Sequence, residues 1–143
     1  DALPISRASR CIDGSVATSC RTTSAFGQNW LAVAYPSRPE IASLTLHAPG
    51  SASQNQLDGA VIQITTDRTG RTVVWSDALT GTRDRYRFTG IARRKVYVRI
   101  DMPRSGPLIV NEVEAFAADG SQLPAIFARM GSTHGLLEAS RCI

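Results

Sequence analysis

The stretch "LDGAVIQITTDRTGRTVVWSDA", Leu57 to Ala78, carries the fold in miniature. In it Ile62 and Ile64 alternate with Gln63 and Thr65, which is the period of two that places one face of a strand against a core. "DRTGR" follows as a polar, glycine-bearing turn, and "TVVWSDA" resumes with β-branched and aromatic residues. Two such runs joined by a short turn predict an antiparallel hairpin.

The same grammar extends outward. Upstream stand "NWLAVAY" and "IASLTLHA", the second setting Leu44 and Leu46 against Ser43, Thr45 and His47. Downstream, "RDRYRFTGI" sets Tyr86 and Phe88 against Arg85 and Arg87, and "KVYVRIDM" sets Val96, Val98 and Ile100 against Tyr97, Arg99 and Asp101. "LIVNEVEAFA" closes the series, its alternation slipping at Asn111–Glu112. Short strands at a spacing of about 8–12 residues predict an all-β fold, an antiparallel β-sandwich or jelly roll. Trp30 and Trp75 lie inside strand patterns and are read as core rather than as sugar-stacking platforms. The one piece with a helical flavour is "PAIFARMG". Residues 1–117 are read as the sandwich domain, and 118–143 as a C-terminal extension packed back on it.

Composition bounds the function. The 143 residues, 43% hydrophobic and 20% charged, describe a globular chain with enough material for a core. No apolar run approaches the ~20 residues of a membrane helix, so direct membrane insertion is not expected. The chain opens "DALPIS" with no basic or apolar leader, which reads as a processed chain or one module of a larger protein. Net charge is +4, with Lys95 the single lysine among sixteen cations. The cations are scattered and no recognition helix is evident, so nucleic acid is not an expected partner. The histidines, His47 and His134, stand in no nucleophile or metal motif, and the chain is read as a non-enzyme. Cys11, Cys20 and Cys142 give one bridge plus an odd thiol in an oxidising compartment, or three reduced thiols in the cytosol.

"CIDGSVATSC", "WLAVAY", "LDGAVIQITTDRTGRTVVW", "KVYVRI" and "LIVNEVEAF", in this order, resemble the galactose-binding-like β-sandwich superfamily. Within it they are most similar to F-type (fucose-binding) lectins and to discoidin or coagulation factor V/VIII type C domains, over about Ala8 to Ala117. The resemblance implies a structural calcium held by the Asp13 and Glu112 carboxylates, by Ser19, and by the carbonyls of Arg10, Ser15 and Asn111. Hard oxygens from an irregular loop are what Ca²⁺ takes, about 6–8 at a time. Paired carboxylates also serve glycoside hydrolysis, but here calcium is the better use of them.

The lectins' sugar-reading residues, laid on this chain without gaps, fall at Thr22, Pro49, Ser51 and Gln56. None of these is the histidine, arginine, aspartate or terminal cation that the family uses, so recognition of fucose in the family manner is not expected. Contacts to a ligand are assigned instead to Arg21, Thr22 and Gln56 on the loops and to Arg83, Arg85 and Arg87 of "TRDRYRF". That arginine stripe offers planar bidentate donors to carboxylates or sulfates, or is simply a solvated sheet face. In the lectin pattern Cys20 pairs with a cysteine at the position of Asn111. Cys11–Cys20, Cys11–Cys142 and Cys20–Cys142 therefore all stay open, and a bridge to Cys142 would be worth about 4–5 kcal/mol in the chain-entropy model. The resulting expectation is a secreted or cell-surface, calcium-stabilised module that binds glycan through its loops. A structural or adhesion module docking an extracellular protein is the second reading.

Overall fold

The computed structural model describes residues 8–15, 20–21, 29–36, 39–48, 57–67, 71–81, 83–92, 97–103 and 108–132. A 3-10 turn (Ser9–Ile12) leads into β1 (Cys20–Arg21), β2 (Asn29–Ala34), β3 (Ser43–His47), β4 (Val61–Thr65), β5 (Val73–Ala78) and β6 (Arg85–Phe88). There follow β7 (Tyr97–Met102), β8 (Ile109–Val110), β9 (Glu112–Phe116), β10 (Gln122–Leu123) and β11 (Phe127–Ser132). They form a five-stranded sheet in the order β11-β2-β7-β4-β5, a four-stranded sheet in the order β10-β9-β3-β6, and a small ladder of β1 with β8. Every pairing is antiparallel. The all-β sandwich expected from the alternation is the observed architecture.

The hairpin that opened the sequence reading is β4–β5. Ile62 and Ile64 face inward and are fully buried. The Asp67 carboxylate closes the turn by accepting the backbone N–H groups of Arg71 (3.0 Å) and Thr72 (3.2 Å). Leu44 and Leu46 from β3, Val98 and Ile100 from β7, and Val113 and Ala115 from β9 complete the layer between the sheets. A fully buried aliphatic side chain contributes roughly 1.5–3 kcal/mol, so alternation of this kind is enough to set which face turns inward. Trp75 and Phe88 meet edge to face, with centroids 5.7 Å apart, and join the two sheets along the β5–β6 side.

Two features depart from the sequence reading. "PAIFARMG" is not helical: it forms β11, paired with β2 from Phe127 opposite Ala34 to Ser132 opposite Asn29. Ala128 and Met130 are buried while Arg129 and Phe127 are half-exposed, a period of two hidden in a run too short to display it. Trp30 is buried, but it is not among the residues between the sheets. It lies on the other face of the five-stranded sheet, opposite Asp101, with the Arg99 guanidinium 4.7 Å above its ring. Arg99 in turn holds Asp101 through Nε at 2.9 and 3.1 Å, which is how an arginine comes to be only 8% exposed on a strand. Residues 122–132 supply an edge strand to each sheet.

Candidate functional site

Between β8 and β9 the chain breaks at Asn111, whose N–H goes to the His47 carbonyl (2.8 Å). Here the strand leaves its ladder with β1 and joins β3, with Glu112 opposite His47. The slip in alternation at Asn111–Glu112 is this change of partner. It delivers Glu112 to the end of the sandwich where the 3-10 turn and its following loop lie. Cys11 at that turn is bridged to Cys20, the first residue of β1. Of the three pairings left open by the sequence, the structure has the local one. Cys20 stands opposite Val110, one residue before Asn111, and the Cys11 sulfur lies 3.6 Å from the Val110 carbonyl.

The loop closed by the bridge brings together residues almost a hundred positions apart. Gly14 takes φ +82°, a left-handed conformation, and its N–H thereby reaches Glu112 Oε2 at 3.1 Å. The Asp13 carboxylate accepts the Ser15 N–H at 2.9 Å, a local turn that keeps it at the loop's bend. Glu112 is only 2% exposed, and its Oε1 is buried, with no hydrogen-bond partner among the described residues at bonding geometry. Burial raises its pKa to about 7, helped by the neighbouring Asp13 and Glu114 carboxyls and opposed by the Gly14 hydrogen bond. Burial and then the charges of Glu112 and Glu114 also push the Tyr35 phenol up, its hydroxyl donating to the Val113 carbonyl at 3.4 Å. Glu112, Gly14 and Tyr35 line a cavity of about 400 Å³ with Gln122 and Pro124.

Among the described residues, no group of three or more His, Cys, Asp or Glu side chains converges. A cation here would take two carboxylates and complete its shell from carbonyls, the donor mixture that suits Ca²⁺. The buried Glu112 carboxyl, side by side with the Asp13 carboxyl, fits that role, because ionising both there is costly until a cation compensates the charge. Of the expected ligands, Arg10 lies in the 3-10 turn, Ser15 just past Gly14, and Asn111 immediately before Glu112. Ser19 lies outside the described residues. Gly14→Ala is expected to lower stability by about 1–2 kcal/mol. A Cβ there meets nothing within 4 Å, so the cost is backbone conformation alone, read as a lower melting temperature.

The expected ligand contacts are dispersed. Arg21 lies in β1 opposite Ile109, while Thr22 and Gln56 fall outside the described residues. Arg83 precedes β6 and is held at the sandwich edge, its Nε donating to the Thr80 carbonyl (3.1 Å) and its N–H to the Tyr86 hydroxyl (3.4 Å). Arg85 and Arg87 are exposed on the outer face of the four-stranded sheet. Across that face, His47 Nε2 and Glu114 Oε1 are 2.8 Å apart. Tyr35, His47, Glu114 and Phe116 went unremarked as site residues in the sequence, because only strand register shows what stands beside them.

No protein-family model matches the sequence, and no curated protein matches it significantly. Solved structures do match. The lectin domain of lectinolysin, complexed with Lewis B antigen, superposes with a TM-score of 0.65 at 17% identity, over 78% of this chain and 84% of that one. A Streptococcus pneumoniae fucose binding module gives 0.62 at 17% identity, over 77% and 84%. Chitosan-binding module 1, from a chitosanase/glucanase of Paenibacillus sp. IK-5, gives 0.57 at 23% identity, again over 77% and 84%. At such identities the likeness is one of fold, a sandwich of two antiparallel sheets that this chain shares with those modules.

Proposed function

We propose that this chain is a non-catalytic, extracellular carbohydrate-binding module whose loop end is stabilised by calcium. The observation that carries the reading is the shared fold: three modules described by their sugars, Lewis B antigen, fucose and chitosan, match over most of their length and most of this chain. Calcium is assigned to Asp13 and Glu112, with carbonyls of Arg10, Ser15 and Asn111 and the Ser19 oxygens around them. The Cys11–Cys20 bridge supports an oxidising, extracellular setting. Fucose itself is not the proposed ligand, since Thr22, Pro49, Ser51 and Gln56 stand where the lectins read it. The module acts by binding glycan without catalysis, its sandwich a rigid platform for the loops that make contact.

A glycan array tests this, probed in calcium-containing buffer with fucosylated, chitosan-derived, neutral and acidic oligosaccharides. Binding to at least one glycan class, saturable and competed by the free sugar, is expected. Silence across the array, with association to an extracellular protein retained, would overturn the carbohydrate reading in favour of a structural adhesion module.

A further inference from the structure

The outer face of the four-stranded sheet carries a groove of about 270 Å³. Register builds it: Arg85 lies opposite His47, Arg87 opposite Thr45, Thr45 opposite Glu114, and Ser43 opposite Phe116. Arg85 and Arg87 form one wall, Glu114 and half-buried Phe116 the other, and the short hydroxyl side chains of Ser43 and Thr45 the floor. β6 is clamped from beneath, the Tyr86 hydroxyl donating to the Gly81 carbonyl (2.5 Å) and Phe88 packing on Trp75. The two guanidiniums are thus presented from a fixed strand, about 6.7 Å apart at their Cα atoms.

The charges in this groove are not balanced internally. Among the described residues its one carboxylate is Glu114, which faces His47, and neither Arg85 nor Arg87 forms an ion pair. Two unpaired guanidiniums over a hydroxyl floor, with an aromatic edge on the far side, match a pyranose ring that bears an anionic group. The arginines take carboxylate or sulfate oxygens in planar, bidentate geometry. Ser43, Thr45 and the free oxygen lone pairs of Glu114 meet ring hydroxyls, and Phe116 meets the apolar C–H face.

Resting on the carbohydrate reading above, we propose that the groove between β6 and β9 binds an acidic saccharide through Arg85 and Arg87. Isothermal titration with three short probes tests it: a galacturonate tetrasaccharide for carboxylate, a sulfated heparin-derived tetrasaccharide for sulfate, and chitotetraose acetylated to neutrality. Tighter binding of one or both acidic probes than of the neutral one is expected, and the stronger arm identifies the anion. Arg85→Ala and Arg87→Ala are each expected to weaken that binding at least tenfold, while Arg71→Ala, an exposed cation on the β4–β5 turn, changes it less than twofold. Equal losses in all three variants would reduce the effect to the overall basic charge of the chain, overturning the inference. So would a hexaglutamate peptide that competes as well as the saccharide. Binding of the neutral probe alone overturns the groove and leaves the module reading standing. Silence with all probes, here and on the array, overturns both.

Discussion

Calcium at 10 mM is expected to raise the melting temperature of the chelator-treated protein by about 8 °C, and Glu112→Gln is expected to remove that response. The figure follows from mass action: an extracellular-type site with Kd near 0.1 mM, at a hundredfold excess, stabilises the folded state by about 2.7 kcal/mol. For a chain of this size each kcal/mol moves the midpoint by about 3 °C. Glutamine keeps the shape of the side chain and an acceptor for the Gly14 N–H, but it gives up the charge that a cation requires.

The metal-free variant also separates electrostatics from packing. Metal-free, wild-type Glu112 titrates at about 7, against 4.5 ordinarily, so between those values the folded chain holds a proton that the unfolded chain has released. Its contribution is complete below about pH 4.5 and is lost as pH rises through 7. A one-proton difference gives a slope no steeper than about 1.4 kcal/mol per pH unit. Glu112→Gln flattens that slope and is no less stable than metal-free wild type at pH 8. Calcium prefers the ionised carboxylate, so the calcium-induced shift grows from pH 5.5 to 8. Thermal scans with and without chelator, across pH, read all of this. A wild-type midpoint that ignores calcium at pH 8 would remove the metal from this loop.

How much of this was legible in the sequence depends on the range of the interaction involved. β4, β6 and β7 were readable because their apolar residues alternate over several positions, and a local period needs no knowledge of partners. β11 was not, since in "AIFARM" an apolar run of a few residues satisfies helix and strand alike, and only the edge of β2 decides. Trp30 was expected to be buried and is, but the face it occupies follows from Arg99 and Asp101 on the neighbouring strand. Asp13 and Glu112 came together on paper through a resemblance of motifs, with the break at Asn111 as the one local sign. Of the 270 Å³ groove the sequence offered one wall, the Arg85 and Arg87 stripe of β6, but neither the wall from β9 nor the floor from β3. Cross-strand register of that kind is set by tertiary packing.

Replacing both Cys11 and Cys20 with alanine is expected to cost about 3 kcal/mol and to weaken calcium binding at least tenfold. The bridge closes a loop with a sequence separation of 9, for which the chain-entropy model gives about 2.7 kcal/mol. Both residues are buried, and alanine at each adds no unsatisfied hydroxyl, so the loss of the cross-link dominates the loss of packing. The effect on calcium is a separate consequence of the same geometry. Asp13, Gly14 and Ser15 lie within the closed loop, and Glu112 comes from a strand that the bridge does not touch. Uncrosslinked, the loop must lose more conformational freedom when it wraps a cation, and affinity falls by that amount. Mild reduction of the wild type is therefore expected to lower both the midpoint and the calcium response together. Alkylation of the unfolded, unreduced protein checks the pairing directly: Cys142 is labelled, and Cys11 and Cys20 are not. Label on Cys20 would move the bridge to Cys11–Cys142 and label on Cys11 would move it to Cys20–Cys142, and a double-alanine variant with unchanged calcium affinity would show that β9 alone shapes the site.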